Sequence, residues 1–244
     1  MILPLGSVIR ERLKSSKRIL ALTGAGISAE SGVPTFRGKD GLWKNFRAEE
    51  LATPEAFRKN PKLVWEWYLW RMELISQKEP NPAHKVLAEL EEKFPGFRLV
   101  TQNVDGLHRK AGSKRLLEIH GNIFRNRCIS CNHQSETILP MGEVPPLCDH
   151  CGGSLRPGVL WFGESYDEDL LNESVKYAES AEVTLVIGSS GMVGIPVELA
   201  RIARENGSLV IEINTEESGY SRHADLFLQG KAGEILPALA SYFP

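Results

Sequence analysis

No apolar run in this 244-residue chain approaches the roughly 20 residues a membrane-spanning helix needs; stretches such as Val183–Ile187 are far shorter. Near residue 1 no basic segment leads into an apolar one, so a cytoplasmic location without membrane contact is the expectation. Charge of one sign is missing too. The 29 Lys and Arg against 31 Asp and Glu leave a formal charge of -2, which offers no global field to recruit nucleic acid or an anionic membrane. Cysteine is scarce: all 4 lie within 128–151, a poor arrangement for stapling a chain of this length with disulfides. Repeats and low-complexity tracts are absent. With 42% hydrophobic and 25% charged residues, the composition is that of an ordinary globular chain with interior for one large domain or a large and a small one. A monomer is the expected state.

What is present reads as alternating strands and helices. Ile19–Leu22, Phe97–Thr101, Thr184–Ile187 and Leu209–Ile213 are short runs rich in Val, Ile and Leu, as strands covered on both faces should be. Amphipathic helical patterns occupy Gly6–Ser16, Pro82–Lys93, Asp167–Ala181, Pro196–Glu205 and Ala232–Phe243. The expected fold is therefore α/β: a Rossmann-like parallel sheet with helices on both faces. Two segments break the alternation. Residues 40–77 are helical and tryptophan-rich; residues 127–157 carry every cysteine. Both are read as insertions forming a small domain of helical insertion and zinc-binding module, with 1–39, 78–126 and 158–244 making the larger, cofactor-binding domain.

The first strand runs into Gly24-Ala25-Gly26-Ile27-Ser28-Ala29, a Gly-x-Gly-x-x-Ala turn of the kind that brings backbone N–H groups to a pyrophosphate. Two elements of the ordinary dinucleotide fingerprint are lacking. Gly32 and Pro34 stop the helix after about two turns, and no strand ending in an acid follows about 20 residues on. A glycine turn without a ligand remains open, as does a hydride-transferring dehydrogenase, which both departures count against. Polar groups at other strand ends include Gly188-Ser189-Ser190 and Asn214. Gln102-Asn103-Val104-Asp105 offers amides and a carboxyl suited to sugar hydroxyls or a carboxamide, though Asn-x-Asp-Gly is also an ordinary turn. His120, beside Gly121, is a candidate general base because imidazole titrates near neutral pH; a structural histidine is the plainer alternative. Cys128-x-x-Cys131 and Cys148-x-x-Cys151, with sixteen residues between the pairs, suit a tetrahedral Zn²⁺ with no open position, hence a structural metal. The alternatives are two redox pairs, or a set in which His133 or His150 replaces a cysteine.

Taken together, these segments resemble the sirtuins, NAD-dependent protein lysine deacylases. The resemblance runs through Gly24–Ser28, Gly32–Gly38, Thr101–Asp105, His120-Gly121, the four cysteines, Pro157–Glu164, Gly188–Ser190, Glu212–Asn214 and Gly230–Glu234, in family order. It implies a fold, an activity and a set of roles. NAD⁺ would be the co-substrate, held by Gly24, Ala25, Gly26, Ser28, Phe36, Arg37, Gln102, Asn103, Asp105, Gly188, Ser189, Ser190, Asn214 and Ala232. Asn103 and Asp105 would line the nicotinamide side. The acyl oxygen of a modified lysine would attack the ribose carbon, giving an imidate, and His120 would then accept a proton from a ribose hydroxyl to carry the acyl group over, so that free lysine, nicotinamide and O-acyl-ADP-ribose leave. The nucleophile of this route belongs to the substrate, so the route needs no Ser or Cys nucleophile signature, and none is read here. Val159 and Phe162 would pair with the substrate peptide as an added strand.

Tyr68 and Arg71 stand at i and i+3 in Trp65–Arg71, so a phenol and a guanidinium can share one helix face and one pocket. Arginine binds a carboxylate through two parallel charge-assisted hydrogen bonds. The pair resembles the Tyr-x-x-Arg signature of prokaryotic class III sirtuins, which remove succinyl, malonyl and glutaryl groups. Ala52 matches the small residue of their acyl pocket, and Thr35 stands where many sirtuins have Asp. The alternatives are an aromatic core helix with Arg71 on its solvent side, a plain deacetylase, a protein mono-ADP-ribosyltransferase, and a non-catalytic NAD-sensing or zinc-dependent binding module.

Overall fold

The computed structural model describes residues 2–34, 47–137, 139, 142–192 and 194–244. Six strands form one parallel sheet: β1 (Arg18–Thr23), β2 (Gly96–Thr101), β3 (Leu116–Glu118), and, beyond a smaller sheet, β7 (Val183–Ile187), β8 (Leu209–Asn214) and β9 (Leu226–Gln229). Their order is β3-β2-β1-β7-β8-β9. The chain thus builds outward from β1 on one side, returns to β7, and builds outward on the other. Leu20 sits opposite Arg98 of β2 and Thr184 of β7, so β1 is hydrogen-bonded along both edges. This reversal at β1/β7 opens a crevice at the carboxyl ends of the strands, where open α/β sheets bind ligands.

Alternation along the strands loads both faces of the sheet. Ile19, Ala21, Leu185, Ile187 and Ile211 point to one layer, which packs on α1 (Ser7–Ser15), α5 (Pro82–Lys93) and α9 (Ala232–Ala240). Leu20, Leu22, Val186 and Val210 point to the other, against α7 (Glu168–Ser180) and α8 (Gly194–Glu205). Local chemistry sets the helix starts. The side chain of Asn81 accepts from the Ala83 N–H and Pro82 opens α5; Asp167 accepts from the Leu170 N–H ahead of α7.

A second, antiparallel sheet, β5-β4-β6, joins β4 (Gly121–Cys128), β5 (Gln134–Glu136) and β6 (Leu155–Val159). It shares a separate hydrophobic cluster with α3 (Pro54–Lys59) and α4 (Pro61–Ser76), preceded by the short α2 (Ala48–Leu51). From α4 come Val64, Trp65, Trp67, Tyr68, Met72 and Ile75; from the sheet side come Ile123, Cys128, Leu155, Val159 and Trp161. The Trp65 indole donates to the Leu155 carbonyl at 3.0 Å, tying α4 to β6. The sequence pattern leaves out β3 and β9, the two outermost strands of three and four residues. α9 ends three residues before the expected Phe243. Among the described residues no helix is long and apolar enough to cross a membrane.

Candidate active site

The glycine turn after β1 packs directly on the turn after β7. A Cβ on Gly24 would lie 2.8 Å from the Gly188 carbonyl oxygen, and one on Gly26 would lie 2.7 Å from the Gly188 Cα. Gly188 itself has φ +58°, and a Cβ there would meet the Ile27 nitrogen at 2.3 Å. The N–H of Gly24 donates to the Ile187 carbonyl and that of Gly26 to the Gly188 carbonyl. These two N–H groups are thus spent inside the junction, and glycine is required at both positions for close backbone approach. The helix the turn opens is a seven-residue 3-10 helix, Ala25–Ser31, stopped by Gly32 at φ +74°.

Two cavities flank this junction and share Ala25 and Gln102. One, of about 310 Å³, is lined by Gly24, Gly26, Gly188, Ser189, Ser190 and Asn214 together with Thr215–Ser218. Its wall is internally braced. Asn214 donates from its side-chain amide to the Ser189 carbonyl at 2.9 Å, and the Gln102 amide donates to the Ser189 hydroxyl at 3.0 Å. Ala232, buried at the start of α9, lines neither cavity. Thr35, Phe36 and Arg37 lie outside the described residues.

The other cavity, of about 220 Å³, brings together Ser28, Ala52, Tyr68, Arg71, Asn103, Asp105, His120, Val159 and Phe162. A buried chain forms its floor. The Asn103 amide donates to the Gly24 carbonyl at 3.1 Å and to the Ser28 hydroxyl at 3.2 Å, and that hydroxyl donates to Asp105 Oδ2 at 2.7 Å. Asp105 Oδ1 accepts the Leu107 N–H. Burial pushes the Asp105 carboxyl above its ordinary range, while these two donors and Arg71 pull it back. Beneath them the rings of His84 and His108 lie 4.8 Å apart. Burial lowers His84 to about 4 and holds His108 well below the usual imidazole range, with His84 adding to the effect.

His120 is held at both ring nitrogens. Nδ1 lies 2.9 Å from the Gln102 carbonyl oxygen, which can only accept, so Nδ1 carries the proton and Nε2 presents its lone pair. That lone pair faces the Tyr166 hydroxyl at 3.0 Å. Tyr166 is absent from the sequence reading; it stands 46 residues away in the chain, and no local motif marks it. Burial raises its pKa, so it stays a donor at neutral pH. Gly121, at φ +78°, lets β4 approach the Gly158 carbonyl, where a Cβ would lie 2.1 Å away. The Leu160 N–H then donates to the His120 carbonyl, and the Phe162 N–H to the Ala52 carbonyl, fixing the 159–162 segment as one wall.

Among the described residues, Arg71 and Asp105 are the acidic and basic side chains that line this cavity. The Arg71 guanidinium lies 4.8 Å above the Trp67 ring and 5.6 Å from the Tyr68 ring centre. Its pKa is lowered by burial and raised again by Tyr68 and Asp105. Tyr68, 1% exposed, is pushed up to about 12, chiefly by burial.

The four cysteines are free thiols whose Sγ atoms all lie within 4.8 Å of one another. Cys128 and Cys151 are 3.5 Å apart, Cys131 and Cys148 3.8 Å. Four sulfurs at about 2.3 Å from a tetrahedral Zn²⁺ stand roughly 3.8 Å from one another, so the set fits that ion. Gly153 makes room for the knuckle, since a Cβ there would meet the Ser130 hydroxyl at 2.6 Å. His133 and His150 stack on each other 5.6 Å apart and are not in the cluster.

Residues 24–195 match the Sir2 family. An NAD-dependent protein deacylase of Leptospira interrogans serogroup Icterohaemorrhagiae serovar Lai (strain 56601) is 60% identical over 225 residues, covering 91% of this chain and 92% of the relative. A solved complex of a Sir2 homologue with NAD has a TM-score of 0.90 at 45% identity, covering 99% of this chain and 94% of its own. A variant Sir2 homologue in complex with 2′-O-acetyl ADP-ribose has a TM-score of 0.89 at 46% identity, covering 98% of this chain and 96% of its own. With a glycine junction at the strand reversal, a histidine held at both nitrogens and a closed cysteine cluster in family order, the chain belongs to the Sir2 family.

Proposed function

We propose that this protein removes acyl groups from lysine side chains of proteins, consuming NAD⁺, and that it prefers succinyl and malonyl over acetyl. The observation that carries the reading is the single cavity holding His120, Asn103 and Asp105 at one end and Tyr68 with Arg71 at the other. NAD⁺ would lie across the two joined cavities, its adenosine half toward Ser189, Ser190 and Asn214 and its nicotinamide half toward Asn103 and Asp105. Bound there, it would supply the ribose carbon and hydroxyl that take up the acyl group; one water is consumed, and nicotinamide, free lysine and O-acyl-ADP-ribose leave.

The chain's own residues then have distinct tasks. Nε2 of His120 accepts a proton from a ribose hydroxyl, with Nδ1–H anchored on the Gln102 carbonyl so that the tautomer is set in advance. Asn103 is oriented by Gly24 and Ser28, leaving little freedom to reorganise when the nicotinamide side is occupied. Ala52, Val159 and Phe162 form the apolar channel for the lysine stem, and Arg71 with Tyr68 binds an acyl carboxylate at its end. The two inserted segments form a small domain that walls this channel, stiffened by Zn²⁺ on Cys128, Cys131, Cys148 and Cys151; the metal supplies no reacting ligand position.

The test is incubation of one peptide carrying acetyl-lysine, succinyl-lysine or unmodified lysine with NAD⁺, followed by mass analysis of peptide and nucleotide products. Deacylated peptide with matching O-acyl-ADP-ribose, faster for succinyl, is the expected result. ADP-ribose attached to protein without O-acyl-ADP-ribose would instead identify a mono-ADP-ribosyltransferase.

A further inference from the structure

The indole of Trp161 is 3% exposed, and its N–H donates to the Tyr68 hydroxyl oxygen at 2.9 Å. An indole N–H can only donate, so the direction of this bond is unambiguous: Tyr68 accepts. The indole is clamped. The Arg156 guanidinium carbon lies 3.4 Å from its ring centre and Phe57 packs at 5.3 Å. Arg156 is itself held by Glu164 and by the Val159 carbonyl at 2.7 Å, while Glu164 accepts the Trp161 backbone N–H at 2.8 Å. The ring therefore cannot turn its N–H away from the phenol.

The consequence lies in the cavity. A phenol oxygen has one good in-plane acceptor direction besides its own O–H. With Trp161 occupying the first, the hydroxyl proton takes the second, and among the described residues nothing accepts it. Tyr68 and Arg71 line the same cavity, and a guanidinium N–H beside an unoccupied phenol oxygen would bond to it, so the pair would satisfy each other and not a ligand. We propose that Trp161 is a specificity-determining positioning residue: by occupying the Tyr68 oxygen it turns the phenol into a donor, so that Tyr68 and Arg71 both aim N–H or O–H at one anionic acyl group. This inference rests on the carboxylate-binding reading of Tyr68 and Arg71 given above.

The experiment is steady-state kinetics of wild type, Trp161→Phe, Tyr68→Phe and the double variant on one peptide carrying succinyl-lysine or acetyl-lysine. Phenylalanine keeps an aromatic face for Arg156 and Phe57 and removes the N–H. For Trp161→Phe, KM for the succinyl peptide should rise about 3- to 10-fold, the worth of one oriented hydrogen bond, with kcat and the acetyl parameters within about 2-fold. In the Tyr68→Phe background the Trp161 substitution should add nothing, since the accepting oxygen is gone. Equal losses on both substrates, or a further loss in the double variant, would overturn the proposal. Should Trp161→Phe not fold, incorporation of benzothienylalanine at position 161, an isostere with sulfur in place of N–H, makes the same test. A wild-type enzyme without succinyl preference would sink the carboxylate reading itself. A succinyl preference left undiminished in Trp161→Phe sinks only the role of Trp161.

Discussion

Replacing Arg71 with methionine tests the acyl preference most directly. Methionine keeps an unbranched stem to lie over Trp67, where the guanidinium now sits at 4.8 Å, and removes the charge. Among the described residues, the cavity would then present Asp105 and no lysine or arginine side chain, so a succinyl carboxylate entering it would lose the counterion that Arg71 provides. Leaving a buried charge unpaired costs about 3–4 kcal/mol, or roughly 10²- to 10³-fold in kcat/KM. The loss should fall mainly on KM, because the carboxylate contact is the same before and during acyl transfer. Acetyl-lysine has no carboxylate and should change within about 3-fold, a residue of the Arg71 field on Asp105 common to both substrates. Arg71→Lys keeps the charge and loses the two-pronged geometry, so an intermediate loss of about tenfold is expected. The assay is kcat/KM on matched succinyl and acetyl peptides, with product nucleotide quantified by mass. Losses of equal size on the two substrates would refute the reasoning.

Other consequences are equally open to measurement. A chelator strong enough to remove Zn²⁺ should abolish activity together with protection of the β4–β6 amides in hydrogen exchange, while protection in β1 and β7 persists; full activity after verified metal loss would contradict the structural role. Tyr166→Phe removes the hydroxyl that faces the His120 Nε2 lone pair and competes there with a ribose hydroxyl, so kcat/KM for NAD⁺ should rise about 2- to 10-fold, and a fall of that size would mean that Tyr166 instead holds the ring in its working orientation. His84, at 0% exposure, binds protons less readily folded, at about 4, than unfolded, near 6.5. Its contribution to stability is complete above pH 6.5 and declines as pH falls toward 4, by about 3 kcal/mol in total. Urea unfolding at a series of pH values should show a shallower acid decline in His84→Gln, and an identical slope would count against the assignment. Gly26→Ala places a methyl 2.7 Å from backbone that cannot yield and should cost at least about 2 kcal/mol in thermal unfolding; a variant as stable as wild type would show the junction to be slack.

Much of the architecture was legible because its causes are local. Asn81-Pro82 announces α5, and the observed helix begins and ends at the expected residues. The apolar runs of β1, β2, β7 and β8 mark the strands covered on both faces. β3 and β9 escaped notice because a three- or four-residue strand at the edge of a sheet has too little pattern to separate it from a loop.

The cysteine spacing by itself pointed to a four-sulfur cluster, since two Cys-x-x-Cys knuckles need only one approach to complete a tetrahedron, and the fold brings the four sulfurs together with His133 and His150 outside. The order of motifs likewise determined the family. What only the tertiary structure decided is the direction of the polar groups. That Gly24 and Gly26 direct their N–H groups into the β1/β7 junction, that Tyr166 meets Nε2 of His120, and that Trp161 makes Tyr68 a donor follow from contacts between distant segments. The last of these spans 93 residues. A hydrogen bond has a donor, an acceptor and an angle, and residue types in a line specify the first two while leaving the partner and the angle to the packing of elements that meet only in the folded chain.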